Sequence, residues 1–213
     1  MKTILRGTIL LALAGVFGLT LMAQDSAMSS KPATKAAQPM AMPMPQPAPE
    51  MTKMIKMMSG TWTVNEKSDP SPMFPKGGTG KGTAKMWAGP GGMSLMENYH
   101  SSGMMGTGFD GAGTFWWDAK AGVYRGIWCD TMTPGGCDGS GTTKWDGDKL
   151  VGTMEGDMNG QKMVTTFTYS DWTPNSFVMA MASGPDANSL KPMMTITYTK
   201  TAMPAKAAEK PAQ

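Results

Sequence analysis

From Gly60 to Lys200 the chain runs as short segments in which apolar and polar residues alternate, each closed by glycine, proline, aspartate or asparagine. A two-residue period sends successive side chains to opposite faces, which makes each segment a half-buried strand. In the first strand Trp62, Val64 and Glu66 share one face, and Thr61, Thr63 and Asn65 the other. Further strands are expected at about 79–88, 92–101, 107–117, 123–130, 138–145, 149–156, 161–170, 175–182 and 192–200. Asn159-Gly160 is a strong hairpin signal. Trp117-Asp118 and Trp145-Asp146 each precede a glycine-containing turn and a new strand. About ten strands at hairpin spacing fit a sandwich or a closed barrel. The barrel is favoured because no long crossover interrupts the series and closure removes exposed edges. The expected fold is therefore all-β, an antiparallel up-and-down barrel of 8–10 strands, lipocalin-like, with a short N-terminal helix.

The flanks read differently. In residues 1–23, Lys2 and Arg6 precede an apolar run from Gly7 to Leu21, and Met22-Ala23 offers a cleavage site. This is the pattern of an export signal. An uncleaved anchor is the alternative, but the run is short and glycine-interrupted for a membrane span. No cysteine follows it, which argues against an acylated lipoprotein. Residues 24–49, with Met40, Met42 and Met44 between prolines, read as a solvated Pro/Ala/Met linker. Pro49-Glu50 resembles a helix start, and Met51, Met54, Ile55 and Met58 fall at helical spacing. That helix should hand over to the first strand at Gly60-Thr61-Trp62 and lid one barrel end. The barrel domain is placed at 50–200, and 201–213 as a frayed tail. The expected location is periplasmic or secreted, with no stable membrane anchor after cleavage.

The net charge of +3 and the absence of a basic run exclude an obvious nucleic-acid surface. His100 is the sole histidine, and no nucleophile elbow, phosphate loop or zinc-protease motif is present. A non-enzymatic role without a cofactor is the first expectation.

Several residues, in order, resemble a known family. A Met-rich helix ends in Gly60-Thr61-Trp62. Gly91-Gly92-Met93-Ser94-Leu95-Met96-Glu97-Asn98-Tyr99 follows, then Phe109-Asp110-Gly111-Ala112-Gly113, Trp117-Asp118, Tyr124, Trp128, Asp130 and Met132. The last strand is Met194-Thr195-Ile196-Thr197-Tyr198-Thr199-Lys200. Over residues 50–200 this is similar to the bacterial exported family known as domain of unknown function 1579. The resemblance implies a lipocalin-like barrel and carries no activity with it. The Met-Pro linker and the two cysteines depart from the family pattern.

Cys129 and Cys137, the only cysteines, flank a loop between adjacent strands. An even count in an exported chain points to a disulfide pinning that hairpin, with a metal or redox pair as the alternative. Glu97 shares a strand face with Leu95 and Tyr99. Either this face is internal, placing an acid and a phenol in an apolar lumen, or Glu97 sits at the rim in solvent. Trp62, Leu95, Glu97, Tyr99 and Trp128 are the candidate lumen residues, and a small apolar molecule is the candidate partner. Small residues such as Gly111-Ala112-Gly113-Thr114 and Gly139-Ser140-Gly141-Thr142-Thr143 leave room for it unless aromatics across the barrel occupy the space, a lumen packed solid by Trp and Met being the competing outcome. An enzyme of unknown chemistry using Glu97 and Tyr99 is a further reading.

Methionine is abundant, at 25 residues. Thioethers are soft ligands that select Cu(I). Met40, Met42, Met44, His100, Met104 and Met105 therefore form an alternative copper set, and exposed methionines are also oxidant scavengers. The other reading is that methionine fills core gaps, with Met57, Met96, Met179, Met181 and Met194 assigned to the core.

Overall fold

The computed structural model describes residues 44–70, 75–103, 108–133, 135–158 and 161–201. The 1–23 leader, Met40, Met42, Met104, Met105, the Asn159-Gly160 turn and the tail from 202 lie outside the described residues.

Helix α1 spans Pro49–Met58. Proline in its first turn lacks only an N–H that had no partner there. Glu50 near its start and Lys56 near its end complement the helix dipole. Met51, Met54 and Met58 are buried along one stripe, as their spacing predicts. Ser59 closes the helix by donating its N–H to the Ile55 carbonyl. Gly60 then takes φ +148°, a conformation that L side chains rarely adopt, and an added Cβ would lie 3.1 Å from Lys200 Cε. The turn from helix to sheet depends on that glycine.

Ten strands follow: β1 (Gly60–Ser68), β2 (Gly78–Ala88), β3 (Ser94–Ser101), β4 (Phe109–Asp118), β5 (Val123–Asp130), β6 (Cys137–Asp146), β7 (Lys149–Met158), β8 (Gln161–Thr173), β9 (Ser176–Gly184) and β10 (Lys191–Lys200). Each pairs antiparallel with its sequence neighbour, and β1 pairs with β10 to close the barrel. The two Trp-Asp turns form as expected. Asp118 Oδ1 accepts the Lys120 and Ala121 N–H groups, and Gly147 supplies the positive φ of the second turn. Cys129 and Cys137 stand opposite each other in the β5–β6 ladder and are joined by a disulfide. Among the described residues, no helix is long and apolar enough to cross a membrane.

The strict alternation in β1 buries Trp62, Val64, Glu66 and Ser68 and exposes Thr61, Thr63, Asn65 and Lys67. The same alternation turns Met96 outward from β3, opposite Leu95 and Glu97, so it does not belong to the core set expected of it. Met179 is buried, and Met57, Met181 and Met194 pack against the core.

Of the two outcomes open to the small wall residues, space left free or space filled by aromatics, the structure takes the second. Glycines admit rings instead. A Cβ at Gly111 would overlap the Trp128 ring, and one at Gly152 the Phe167 ring. Bare backbone on one strand is covered by an aromatic side chain from its neighbour, a pairing known to compensate sheet glycines. The volume given up by glycine is taken by Trp128, Phe115 and Phe167, and the interior packs to a solid core.

Gly60→Ala is expected to lower stability by about 1–3 kcal/mol, through a backbone conformation that alanine tolerates poorly. The reading is a lower urea midpoint at unchanged slope; an unchanged midpoint contradicts the role given to this glycine.

Candidate functional site

The inner faces of β1 and β3 bring two carboxyls into the barrel. Glu66 follows Trp62 and Val64 on β1, and Glu97 lies between Leu95 and Tyr99 on β3. Glu66 is 6 % and Glu97 3 % exposed. Of the two positions open to Glu97, rim or interior, the structure takes the interior.

The two acids differ in their partners. Tyr99 Oη donates to Glu66 Oε1 at 2.5 Å, and Ser101 Oγ donates to Glu66 Oε2 at 3.1 Å. Ser101 is held in turn by the Gly103 N–H. Both oxygens of Glu66 are thus satisfied from β3. Glu97 Oε1 is buried with no hydrogen-bond partner. An unpaired carboxylate in apolar surroundings is costly, so burial pushes the Glu97 carboxyl up to about 8. Burial, and then the charge of Glu97, holds the Tyr169 and Tyr198 phenols well above their ordinary value. Burial also raises Tyr99, reinforced by its hydrogen bond to Glu66 and the charges of Glu66 and Glu97.

Aromatic rings link the candidate lumen residues. Trp62 meets Phe177 edge-on at 4.8 Å between centroids, and Phe177 stacks on Tyr198 at 4.4 Å. Tyr198 meets Tyr99 at 6.5 Å, and Tyr99 meets Trp128 at 6.4 Å. Trp62, Tyr99 and Trp128 therefore belong to one aromatic chain, with Leu95 and Glu97 on the strand that carries Tyr99. The indole of Trp62 donates to the Met58 carbonyl at 2.9 Å, tying β1 to α1. Trp128 donates to Asp130 Oδ2 at 2.9 Å. Trp172, stacked on Phe177 at 5.0 Å, has a buried Nε1 without a partner.

Side chains fill most of the lumen. A void of about 10 Å³, the size of one water, remains between Met54 and Met58 of α1 and Phe115, Leu150, Phe167 and Tyr169 of the wall. A larger hollow of about 550 Å³ lies on the outer wall, where Thr83, Lys85, Asn98, His100, Asp110 and Thr131 face solvent. There the polar groups serve one another: His100 Nδ1 pairs with Asp110 Oδ1 at 2.6 Å. The interior site is the stronger candidate, because a buried group there lacks a partner.

Only two members of the alternative copper set lie among the described residues. Met44 is exposed, His100 is engaged with Asp110, and the other four methionines lie outside the described residues. Among the described residues, no three His, Cys, Asp or Glu side chains converge on a metal position. Of the pair invoked for enzyme chemistry, Tyr99 gives its hydrogen to Glu66.

Sequence reasoning missed Glu66 and Ser101 as site residues. The alternation Trp62-Val64-Glu66 already placed Glu66 inside; its pairing to Tyr99 and Ser101 spans 33 and 35 residues and has no local signal.

No protein-family model matches the chain, and no curated protein matches it. Among solved structures, the chain is similar in fold to the S-type phycobiliprotein lyase CPES from Guillardia theta, with TM-score 0.52 and 7 % identity over 72 % of this chain and 93 % of that one. It is also similar to Rv2717c from M. tuberculosis, with TM-score 0.51 and 10 % identity over 74 % of this chain and 100 % of that one. At these identities the likeness is one of fold: a closed antiparallel barrel.

Glu97→Gln keeps the shape and removes the titration. A folded-state value raised from 4.5 to about 8 means the native state holds a proton that the unfolded state has released. Stability relative to E97Q is therefore full below about pH 4.5 and falls as pH rises towards 8. Denaturant midpoints of both proteins from pH 4 to 9 should diverge in this direction; parallel curves would place Glu97 in water.

Proposed function

We propose that this is an exported, non-enzymatic barrel protein that binds a small, largely apolar ligand in its lumen. Glu97 serves as the polar anchor, and Trp62, Leu95, Tyr99 and Trp128 contribute the walls. The observation that carries this reading is the unpartnered Glu97 Oε1 in an aromatic interior. A buried polar atom without a partner is costly to keep, and a ligand can supply what the fold withholds. Apolar walls with few polar groups are the usual composition of a small-molecule site.

Entry requires the interior to give way. Methionine suits that task, being unbranched and conformationally adaptable. Met54 and Met58 border the existing void on the face of α1 that covers the barrel end. The lid is fastened at few points: Tyr124 Oη donates to the Glu50 carbonyl at 2.8 Å, Trp62 to Met58 at 2.9 Å, and Lys53 Nζ lies 3.7 Å from the Trp145 ring centroid. A ligand that displaces the two methionines would occupy space continuous with Tyr169. Export is supported by the leader-like residues 1–23 and by the disulfide, which persists in oxidising compartments.

Ligand entry should quench tryptophan fluorescence, because Trp62 and Trp128 belong to the aromatic chain through the lumen. Trp62→Phe is expected to weaken the quenching without abolishing it. Flat titrations across a broad panel of lipids and metabolites, together with no retained small molecule in native mass spectra of protein purified from its own host, would sink lumen binding.

A further inference from the structure

Every ionisable side chain buried in the described barrel belongs to an acid or a phenol. Glu66 and Glu97 are internal, as are Tyr99, Tyr169 and Tyr198. Among the described residues, every lysine and His100 are exposed, and Arg125 is paired with Asp118 on the outside at 2.7 Å. Two carboxyls thus share an apolar interior into which the chain sends no cation. Buried acids normally come with a positive partner.

Aromatic rings share this interior. Tyr198 and Phe177 stack at 4.4 Å, and Tyr198 meets Tyr99 at 6.5 Å. Ring faces carry negative potential and attract cations, more strongly where water is excluded. Carboxyls and ring faces therefore present one electrostatic sign to the interior. Glu66 is already satisfied by Tyr99 and Ser101. Glu97 has an oxygen with nothing to bind.

We propose that the lumen ligand is a lipophilic primary amine whose ammonium group pairs with Glu97 while its apolar body replaces the methionines beneath α1. The proposal rests on the lumen-binding reading above and names the ligand class for that site. A carboxylate ligand would add a third carboxyl to an interior that supplies no cation. A neutral alcohol would gain one hydrogen bond but no charge pairing. The void gives the apolar body a place to start, because Met54 and Met58 of α1 border it.

The proton balance follows from the state of the acid. In the free protein near neutral pH, Glu97 holds its proton. The amine enters as R–NH₃⁺, Glu97 gives its proton to the buffer, and the ammonium–carboxylate pair remains. Glu66, Tyr99, Tyr169 and Tyr198 are the titratable groups around Glu97. The phenols stay neutral throughout, so one proton is released per amine bound at pH 6–7. Above about pH 9, where Glu97 is already ionised, none is released.

The test uses three probes of one skeleton, 3-phenylpropylamine, 3-phenylpropanol and 3-phenylpropionate, titrated calorimetrically into the full exported chain. Two buffers of different ionisation enthalpy report the proton count. The amine should bind roughly tenfold or more tighter than the alcohol, with the carboxylate weakest. It should release close to one proton at pH 6.5. Glu97→Gln, shown by circular dichroism to be folded, should lose the amine preference and the proton release. Alcohol or carboxylate binding as tight as amine binding overturns the amine assignment and leaves lumen binding standing. Amine binding that releases no proton, or that survives in E97Q, overturns the role of Glu97. Binding by none of the three overturns the inference; if the lipid and metabolite panel is flat as well, lumen binding falls with it.

Discussion

A carboxyl removed from water must be paired, hydrogen-bonded or protonated, and the interior of this barrel contains one that is paired and one that is not. Glu66 takes hydrogen bonds from Tyr99 and Ser101 on both of its oxygens. Glu97, on β3 of the same barrel interior, has a buried oxygen without a donor and responds by holding its proton. The two acids reach the interior for the same reason: each occupies an inward position of an alternating strand. Their neighbours separate them chemically. Distinct environments for two like groups are a common origin of distinct roles.

The wall around them is made of complementary losses and gains. Glycine gives up side-chain volume at Gly111, Gly126 and Gly152, and Trp128, Phe115 and Phe167 occupy it. Such a lumen is well packed and resists a ligand that merely diffuses in. Its adaptable part is the α1 end, where methionine side chains border the remaining void and three polar or cation–ring contacts fasten the helix. Local opening draws on weakly fastened elements. The void at this end borders Tyr169.

Much of this architecture was legible in the chain. Period-two alternation placed all ten strands, with boundaries close to those observed, because each strand is half-buried and each turn carries glycine or aspartate. Helix spacing placed Met51, Met54 and Met58 inward, and the even pair of cysteines predicted their disulfide. Trp62, Leu95, Glu97, Tyr99 and Trp128 were picked from local pattern alone. What stayed hidden was everything that depends on who stands across the barrel. Glycine-rich segments look like empty space until the aromatic residue that covers each one is known. Glu66 looked like any inward strand residue until Tyr99 and Ser101 were brought beside it. Met96 was assigned to the core by its chemistry, while its position in the alternation of β3 sent it outward.

The account stands on the state of one carboxyl. Carbon-13 nuclear magnetic resonance of glutamate side-chain carboxyls, with Glu97 assigned by its disappearance in Glu97→Gln, reads that state directly. A Glu97 carboxyl that titrates near pH 8, apart from the exposed glutamates, is the predicted result. Titration near 4.5 together with the surface acids would show that water reaches Glu97, and would contradict the sealed, unpaired acid on which the binding chemistry is built.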